Sequence, residues 1–396
     1  MRSRQFALLC GVGLFAFISY NLVRMPVLSL YAQSLGAGPE AIGFIVSAST
    51  LTGVFLKWPA GALSDIYDRR WLLLAGLLAF ALPPFFYQFV SDVGWLVALR
   101  FAHGMATAVF APIALAVVAD LRREARGVAY GSYTAATQAG AMLGPVLGGW
   151  LVVSAGFPTA FVTAGILGAL AFLLFLLMRL PPQIPHVASG VGPAAVLKDM
   201  ARGARTVVGN MRVVVTSVTD GARQVANGAL MAFLPIYVVG IGMDAAHAGA
   251  LFGVQSVTSF VSRPTMGWAS DRIGRRPLIL LGLVVCAASL AAVPFTRPFG
   301  GLMVLSALFG FGEAIVNASA AALVADLSEL KTLGSAMGMQ GAIMDIGHAS
   351  GPILAGVLVG ALGFQAAFPI IAGLVLLAAA GFRTAVGSER PVGHAL

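Results

Sequence analysis

Gly61-Ala-Leu-Ser-Asp-Ile-Tyr-Asp-Arg-Arg70 returns as Gly267-Trp-Ala-Ser-Asp-Arg-Ile-Gly-Arg-Arg276, 206 positions later in a chain of 396 residues. Each copy places a Ser-Asp pair and an Arg-Arg pair between two apolar runs. The flanks repeat as well, since Lys57 corresponds to Arg263 at the same offset. A charged loop repeated in this way indicates a chain built from two related halves.

The composition is that of a protein that crosses a membrane many times. Hydrophobic residues make up 59% and charged residues 10%, against about 25% charged in an ordinary soluble domain, and mean hydropathy is +0.92. This excludes a soluble enzyme, a disordered chain and, with two cysteines, a secreted disulfide scaffold. Because backbone groups in lipid must be satisfied within each segment, we expect helices. Twelve apolar runs lie near 6–34, 41–63, 71–91, 94–118, 129–154, 157–178, 211–240, 247–268, 277–295, 299–324, 334–361 and 364–382.

The basic residues predict the orientation. With a cytoplasmic N-terminus, 18 of the 24 Lys and Arg residues lie on the cytoplasmic side, one lies outside and five lie within spans. Positive charge collects on cytoplasmic loops, so both termini are predicted to be cytoplasmic and the net charge of +9 indicates no nucleic-acid partner. We predict an all-α membrane protein with 12 transmembrane helices in two six-helix bundles, 1–180 and 211–396, related as a parallel repeat and joined by a cytoplasmic linker, 181–210.

Three motifs resemble those of the major facilitator superfamily, and the resemblance covers the whole chain. The second loop copy matches the family's signature between spans 2 and 3 almost fully, whereas the first has Ile66 in place of Arg and Asp68 in place of Gly. Arg100 and Gly104 are similar to the family's span-4 motif. The span-5 motif typical of its exporters is matched by Gly131, Gly140, Gly144, Pro145, Gly148 and Gly149.

The resemblance implies a cytoplasmic latch between the two halves. Asp65 and Asp271 end spans 2 and 8, and Asp120 and Asp326 end spans 4 and 10 at the same level. A carboxylate there can stabilise a helix N-terminus or pair with an arginine. The predicted latch consists of Asp65, Arg69, Asp120, Asp271, Arg272, Arg275 and Asp326. The alternative is a solvated loop that only sets orientation.

Eight ionisable residues other than histidine fall within the predicted spans: Arg24, Lys57, Arg100, Asp220, Arg223, Arg263, Glu313 and Asp345. Spans 3, 6, 9 and 12 contain none, which agrees with the outer position of these helices in the resembled fold. A charge at the membrane centre costs at least about 2.5–3.5 kcal/mol, so each is a hypothesis of function.

Two carboxylates lie near the predicted membrane midplane. Glu313 and Asp345 are about a third to a half of the way along their spans, judged at about 1.5 Å per residue. A carboxylate that alternates between an apolar environment and an arginine can take up and release a proton. We predict Glu313 and Asp345 as proton carriers, with His348, one turn after Asp345, as their relay. The alternative for Glu313 is a static ion pair with Arg24 or Arg100.

Further polar residues are candidates for the substrate cavity, namely Tyr20, Asn21, Arg24, Lys57, Gln138, Asp220, Arg223, Asn227 and Arg263. Asp220 and Arg223 have the spacing of a local ion pair that only supports the helix. Lys57 and Arg263 either grip an anion as a symmetric pair or snorkel to the cytoplasm. For the uncharged residues, hydrogen bonds between helices are the alternative.

The sequence therefore predicts a secondary active transporter that exports a small molecule in exchange for protons by alternating access. No phosphate-binding loop and no metal-ligand spacing is found in the sequence, so neither a cofactor nor a metal is expected. We expect a monomer in a bacterial plasma (inner) membrane. An organic-anion or phosphate-ester exchanger and a non-transporting receptor of the same fold are the alternatives.

Overall fold

A computed structural model describes residues 2–122, 125–180, 208–329 and 332–386. Nearly all of these residues are helical. We number the helices α1 to α12. Helix α1 runs through Arg2–Leu22, a π-helical turn at Val23–Val27 and Leu28–Ser34. The others are α2 (Pro39–Ile66), α3 (Arg69–Tyr87), α4 (Val93–Leu121), α5 and α6 (together Arg126–Leu176), α7 (Met211–Gly240), α8 (Ala245–Ile273), α9 (Arg275–Ala292), α10 (Phe299–Asp326), α11 (Leu333–Leu362) and α12 (Phe364–Ala385).

The helices account for the twelve predicted spans. Ten helical segments among the described residues are long and apolar enough to cross a membrane. The segment Arg126–Leu176 provides two crossings, because Gly156 at φ 81° breaks it into α5 and α6. Helix α8, with Arg263 and a charged C-terminal end, completes the set. The prediction of an all-α, twelve-helix membrane protein is confirmed, and the cytoplasmic location of the termini stays a prediction.

Helix α1 is interrupted in its second half. Met25 has extended backbone angles (φ −143°, ψ 129°) and precedes Pro26. Proline donates no backbone hydrogen bond, and so it favours a break inside a helix. Arg24 lies at this break. Interrupted helices place polar backbone and side chains at membrane depth, which is tolerated only where protein or water surrounds them.

Glycines on α5 bring its backbone against α1. A Cβ atom at Gly144 would lie 2.8 Å from the Asn21 Cβ and the Leu22 nitrogen. At Gly140 and Gly148 the nearest atoms are also backbone atoms of α1. In lipid, where no hydrophobic effect drives helices together, small residues allow this close packing. Gly140, Gly144 and Gly148 of the span-5 motif are therefore explained first of all by the contact of α5 with α1.

The same arrangement occurs in the second half of the sequence. Gly347 and Gly351 of α11 pack on the backbone of α7 at Gly221 and Val225. Gly351 follows Gly144 by 207 positions, so the repeat seen in the sequence is also a repeat of packing.

Helix α8 begins at an aspartate outside the membrane span. The Asp244 Oδ1 atom accepts hydrogen bonds from the backbone N–H groups of Ala246 at 2.9 Å and His247 at 3.0 Å. Partial burial acts to raise the pKa of Asp244, but hydrogen bonds from the His247 ring and from these N–H groups outweigh it and hold that pKa below its usual value. Such caps satisfy the free donors of the first helical turn.

The chain forms two compact units. The first contains α1 to α6 together with residues 231–253, at the end of α7 and the start of α8, and residues 352–360 of α11. The second contains the other parts of α7, α8 and α11, together with α9, α10 and α12. In the first unit, Gly43 faces the Pro352 carbonyl and Gly249 faces the Pro145 carbonyl. The predicted linker 181–210 lies, except for 208–210, outside the described residues. The domain boundaries at 180 and 211 stay predictions.

Candidate substrate and proton site

A cluster of charged side chains is buried in the second unit, where α7, α10 and α11 meet. The Arg223 guanidinium is fully buried and donates two hydrogen bonds to the Asp220 Oδ1 atom, at 2.8 and 3.0 Å. It donates a third, of 2.8 Å, to the Asn317 side-chain oxygen. Gln340 donates to the other Asp220 oxygen at 3.3 Å. The predicted i,i+3 pair is thus present, as part of a larger network.

Glu313 is the less tightly held acid of this cluster. Its Oε1 atom lies 3.6 Å from the Arg223 Nη1 atom, beyond hydrogen-bond distance, and its side chain is 15% exposed, against 1% for Asp220. Two carboxylates thus share one guanidinium, and Asp220 makes the stronger contacts. Within the second unit, the nearest cation to Glu313 is Arg223, so an ion pair between helices, the alternative considered above, exists here with a different arginine. Glu313 is thus an acid whose charge is only partly compensated within the cluster.

A cavity of about 430 Å³ opens beside this cluster, within the second unit. It is lined by Gln224, Arg263, Glu313, Asn317, Ala318 and Met344. Its volume is within the range of about 300–1,000 Å³ that is usual for sites of small molecules. A chain of amides extends from its wall, in which Gln255 donates to Asn227 at 3.1 Å and Asn227 donates to Gln224 at 3.3 Å. The site therefore offers charge of both signs and several hydrogen-bonding groups.

The first unit contains a different, cationic group of polar side chains. Arg100 of α4 is fully buried, donates to the Ser49 hydroxyl and contacts His103 Nδ1 at 3.5 Å. The guanidinium carbon of Arg24 and that of Arg100 each lie 5.7 Å from the centre of the Tyr20 ring. Arg24 also donates to Thr50 at 3.3 Å. Among the described residues, no carboxylate pairs with Arg100.

The remaining predicted cavity residues are dispersed. Asn21 is buried and donates to the Phe17 carbonyl of its own helix at 2.9 Å. Lys57 on α2 and Gln138 on α5 are half-buried. Asp345 and His348 lie one turn apart on α11, both half-buried, and Asp345 follows the cavity residue Met344. Gly104 allows α4 to approach α2, since its Cβ would lie 2.7 Å from the Ser49 backbone.

The arginines of the repeated loops pair with the ends of α4 and α10, each within its own unit. Arg69 binds Asp120, and Arg275 binds both Asp271 and Asp326, the latter at 3.2 Å. These are the partners that the sequence indicated. Arg272 stacks on the Trp268 ring at 4.1 Å. Asp65 lies in the last turn of α2, as Asp271 lies in the last turn of α8. The side chain of Asp65 is outside the described part of the structure. The latching of the two halves stays a prediction.

Sequence reasoning missed three members of the site, Gln224, Asn317 and Gln340. A signal was present for two of them: Gln224 follows Arg223 directly, and Asn317 lies one helical turn after Glu313 on the same face of α10. Gln340 precedes Asp345 by five positions and offers no such spacing.

Comparison with known proteins decides the family. The model of the Major Facilitator Superfamily matches residues 9–219 and 221–394. The chain belongs to this superfamily. Among its relatives is the multidrug resistance protein MdtG of Dickeya zeae (strain Ech586), 28% identical over 377 residues that cover 92% of this chain and 90% of that protein.

Solved structures of two transporters share the fold. The nucleoside transporter NupG superposes with a TM-score of 0.77 at 16% identity, over 96% of this chain and all (100%) of the other. A bacterial homologue of the human lysosomal transporter Spinster, in an inward-facing and occupied conformation, superposes with a TM-score of 0.81 at 15% identity, over 97% of both chains. The protein is accordingly a multi-pass membrane transporter of the major facilitator superfamily, not an enzyme.

Proposed function

We propose that this transporter exports small organic molecules from the cytoplasm in exchange for protons, and that Glu313 carries the exchanged proton. The relatives named multidrug resistance protein and the span-5 motif support the direction of transport. Alternating access by a major facilitator fold needs no nucleotide, because the proton gradient supplies the free energy.

The observation that carries the proposal is the position of Glu313. It is the acid of the buried cluster that also lines the cavity, and the arginine beside it, Arg223, is already engaged by Asp220. Arg263 lines the same cavity. A cationic substrate and a proton compete for one carboxylate in such a site, and this competition is what couples exchange. Asp345 and His348, next along α11, are proposed as the further path of the proton.

Proton release on substrate binding tests the proposal. The probe is tetramethylrhodamine methyl ester, a cationic dye, added to purified protein in weakly buffered detergent solution with a pH indicator. We expect release of about one proton per bound dye in the wild type and none in Glu313→Gln. Glu329→Gln, the same change at an exposed carboxylate outside the cavity, serves as the control and should release as many protons as the wild type. Equal release by Glu313→Gln contradicts the role of Glu313.

An exchanger of organic anions is the second candidate, favoured by the two arginines around Tyr20. The guanidinium groups of Arg24 and Arg100 both lie close to this one ring in the first unit. If Arg24 binds an anionic substrate, Arg24→Ala should lower affinity by about 2–4 kcal/mol and leave the pH profile of transport unchanged. If Arg24 is charge-compensated within the protein, the substitution should change the pH profile and leave affinity nearly the same.

A further inference from the structure

Within the described ranges, residues that line the cavity carry hydrogen-bond donors for which no acceptor is found. In the described part of the chain, Arg263 forms no ion pair, and its Nε atom is buried without a hydrogen-bond acceptor. Asn317 accepts from Arg223 through its oxygen, which directs its NH₂ group away from that arginine. An isolated guanidinium at membrane depth is costly, and proteins retain such groups where a ligand or a partner satisfies them.

The same wall carries a carboxylate. Glu313 is 15% exposed and lies beyond hydrogen-bond distance of Arg223, whose closer bonds go to Asp220 and Asn317. Among the described residues, the cavity is thus lined by one guanidinium without a carboxylate partner and by one incompletely compensated acid. A purely cationic ligand leaves Arg263 unpaired, and a purely anionic one repels Glu313. A ligand that carries both charges can pair with both Arg263 and Glu313.

We propose that the cargo bound at this site is amphoteric: its acidic group pairs with Arg263 and an N–H of Asn317, and its cationic group pairs with Glu313. This inference rests on the proposed exchange of cargo for a proton at Glu313 and adds the second half of the recognition. The cationic group competes with the proton. The acidic group sets specificity, since a guanidinium and an amide provide oriented donors for a carboxylate.

A pair of dyes that differ only at one carboxyl group tests this inference. Tetramethylrhodamine is a zwitterion with a free carboxylate, and its methyl ester is a cation of nearly the same size. Binding is measured by fluorescence anisotropy on purified protein in nanodiscs, which does not require transport. We expect the wild type to bind the zwitterion about tenfold more tightly than the ester, as a charge-assisted hydrogen bond would give.

Arg263→Gln should abolish this preference. Its affinity for the zwitterion should fall at least about tenfold, while its affinity for the ester changes less than about twofold. Arg263→Lys keeps the charge and should retain part of the preference, so a folding defect of the glutamine variant does not decide the result. Arg297→Gln, an exposed arginine outside the predicted spans, is the matched control and should bind both dyes as the wild type does.

Three results overturn the inference: a wild type that binds the ester as well as the zwitterion, a wild type that binds neither, and an Arg263→Gln variant that keeps the preference. Its failure is distinguishable from failure of the proposed function. If proton release depends on Glu313 but the zwitterion is not preferred, only the proposed recognition of an acidic group by Arg263 is wrong. If the zwitterion is preferred through Arg263 but no proton is released, only the proposed exchange of cargo for a proton is wrong.

Discussion

The Arg223 Nη1 atom on α7 lies 3.6 Å from the Glu313 carboxylate on α10, inside a transmembrane unit. Because Arg223 already donates two hydrogen bonds to Asp220, this contact compensates the charge of Glu313 only in part. The pair therefore links a structural network to the cavity. Asp220 and Arg223 form the more tightly hydrogen-bonded pair, and Glu313 is the member that we propose as the proton carrier.

Removing Arg223 should destabilise the protein strongly. Arg223→Met leaves two acids, one of them 1% exposed, without their cation, and uncompensated buried charge costs about 3–5 kcal/mol. We expect a clear fall in the thermal unfolding temperature in detergent. Arg212→Met, at the exposed start of the same helix, should have little effect. Similar melting of the two variants would show that the network does not stabilise the fold.

The contact of α5 with α1 predicts a difference between two glycines of the same motif. Gly144→Ala places a Cβ atom 2.8 Å from the Asn21 Cβ and should cost about 1–3 kcal/mol, measured as lower folded yield and unfolding temperature. Gly131→Ala meets nothing within 4 Å and should be tolerated. If Gly131→Ala is the more harmful change, the motif is not governed by helix packing.

The two copies of the repeated loop have different turns, and this also predicts a stability difference. Gly274 precedes α9 at φ 105°, where a side chain costs about 1–2 kcal/mol, so Gly274→Ala should lower stability by that amount. Gly267→Ala, in the helical part of the motif with open space around it, should not. Circular dichroism during heating measures both, and equal unfolding temperatures would argue against a constraint at Gly274.

The difference between the loop copies could be predicted in part. The sequence showed that Asp68 replaces the glycine of the second copy, and the structure explains how the turn is kept. Asp68 has φ −59°, and its side chain accepts from the Arg70 N–H at 2.8 Å. An aspartate cap thus takes the place of a left-handed glycine at the start of a helix.

The twelve helices and the partners of the loop arginines followed from the sequence, because hydropathy and repeated spacing are local signals. Of the cavity residues, the sequence indicated Glu313 and Arg263 but not the amides around them. Asn317 and Gln340 join Arg223 and Asp220 from positions 94 and 120 residues away. Such contacts depend on how helices pack, and a neutral amide within an apolar run carries no signal of its own.

Asp345 provides a test of the proton path that is separate from the charge cluster. If it relays protons together with His348, Asp345→Asn should abolish transport driven by a pH gradient and retain dye exchange at equal pH. Asp244→Asn, at the cap of α8 outside the spans, is the control and should affect neither. Normal gradient-driven transport by Asp345→Asn would remove this residue from coupling.

The central claim, proton exchange through Glu313, is tested most directly in proteoliposomes with an acidic interior and a membrane potential clamped by potassium and valinomycin. The measured quantity is uptake of tetramethylrhodamine methyl ester, less the uptake by protein-free vesicles. The account predicts uptake by the wild type and by Glu329→Gln that a proton ionophore abolishes, and none by Glu313→Gln, because that substitution removes the carboxylate for which dye and proton compete. Gradient-driven uptake by Glu313→Gln at the wild-type rate would contradict it.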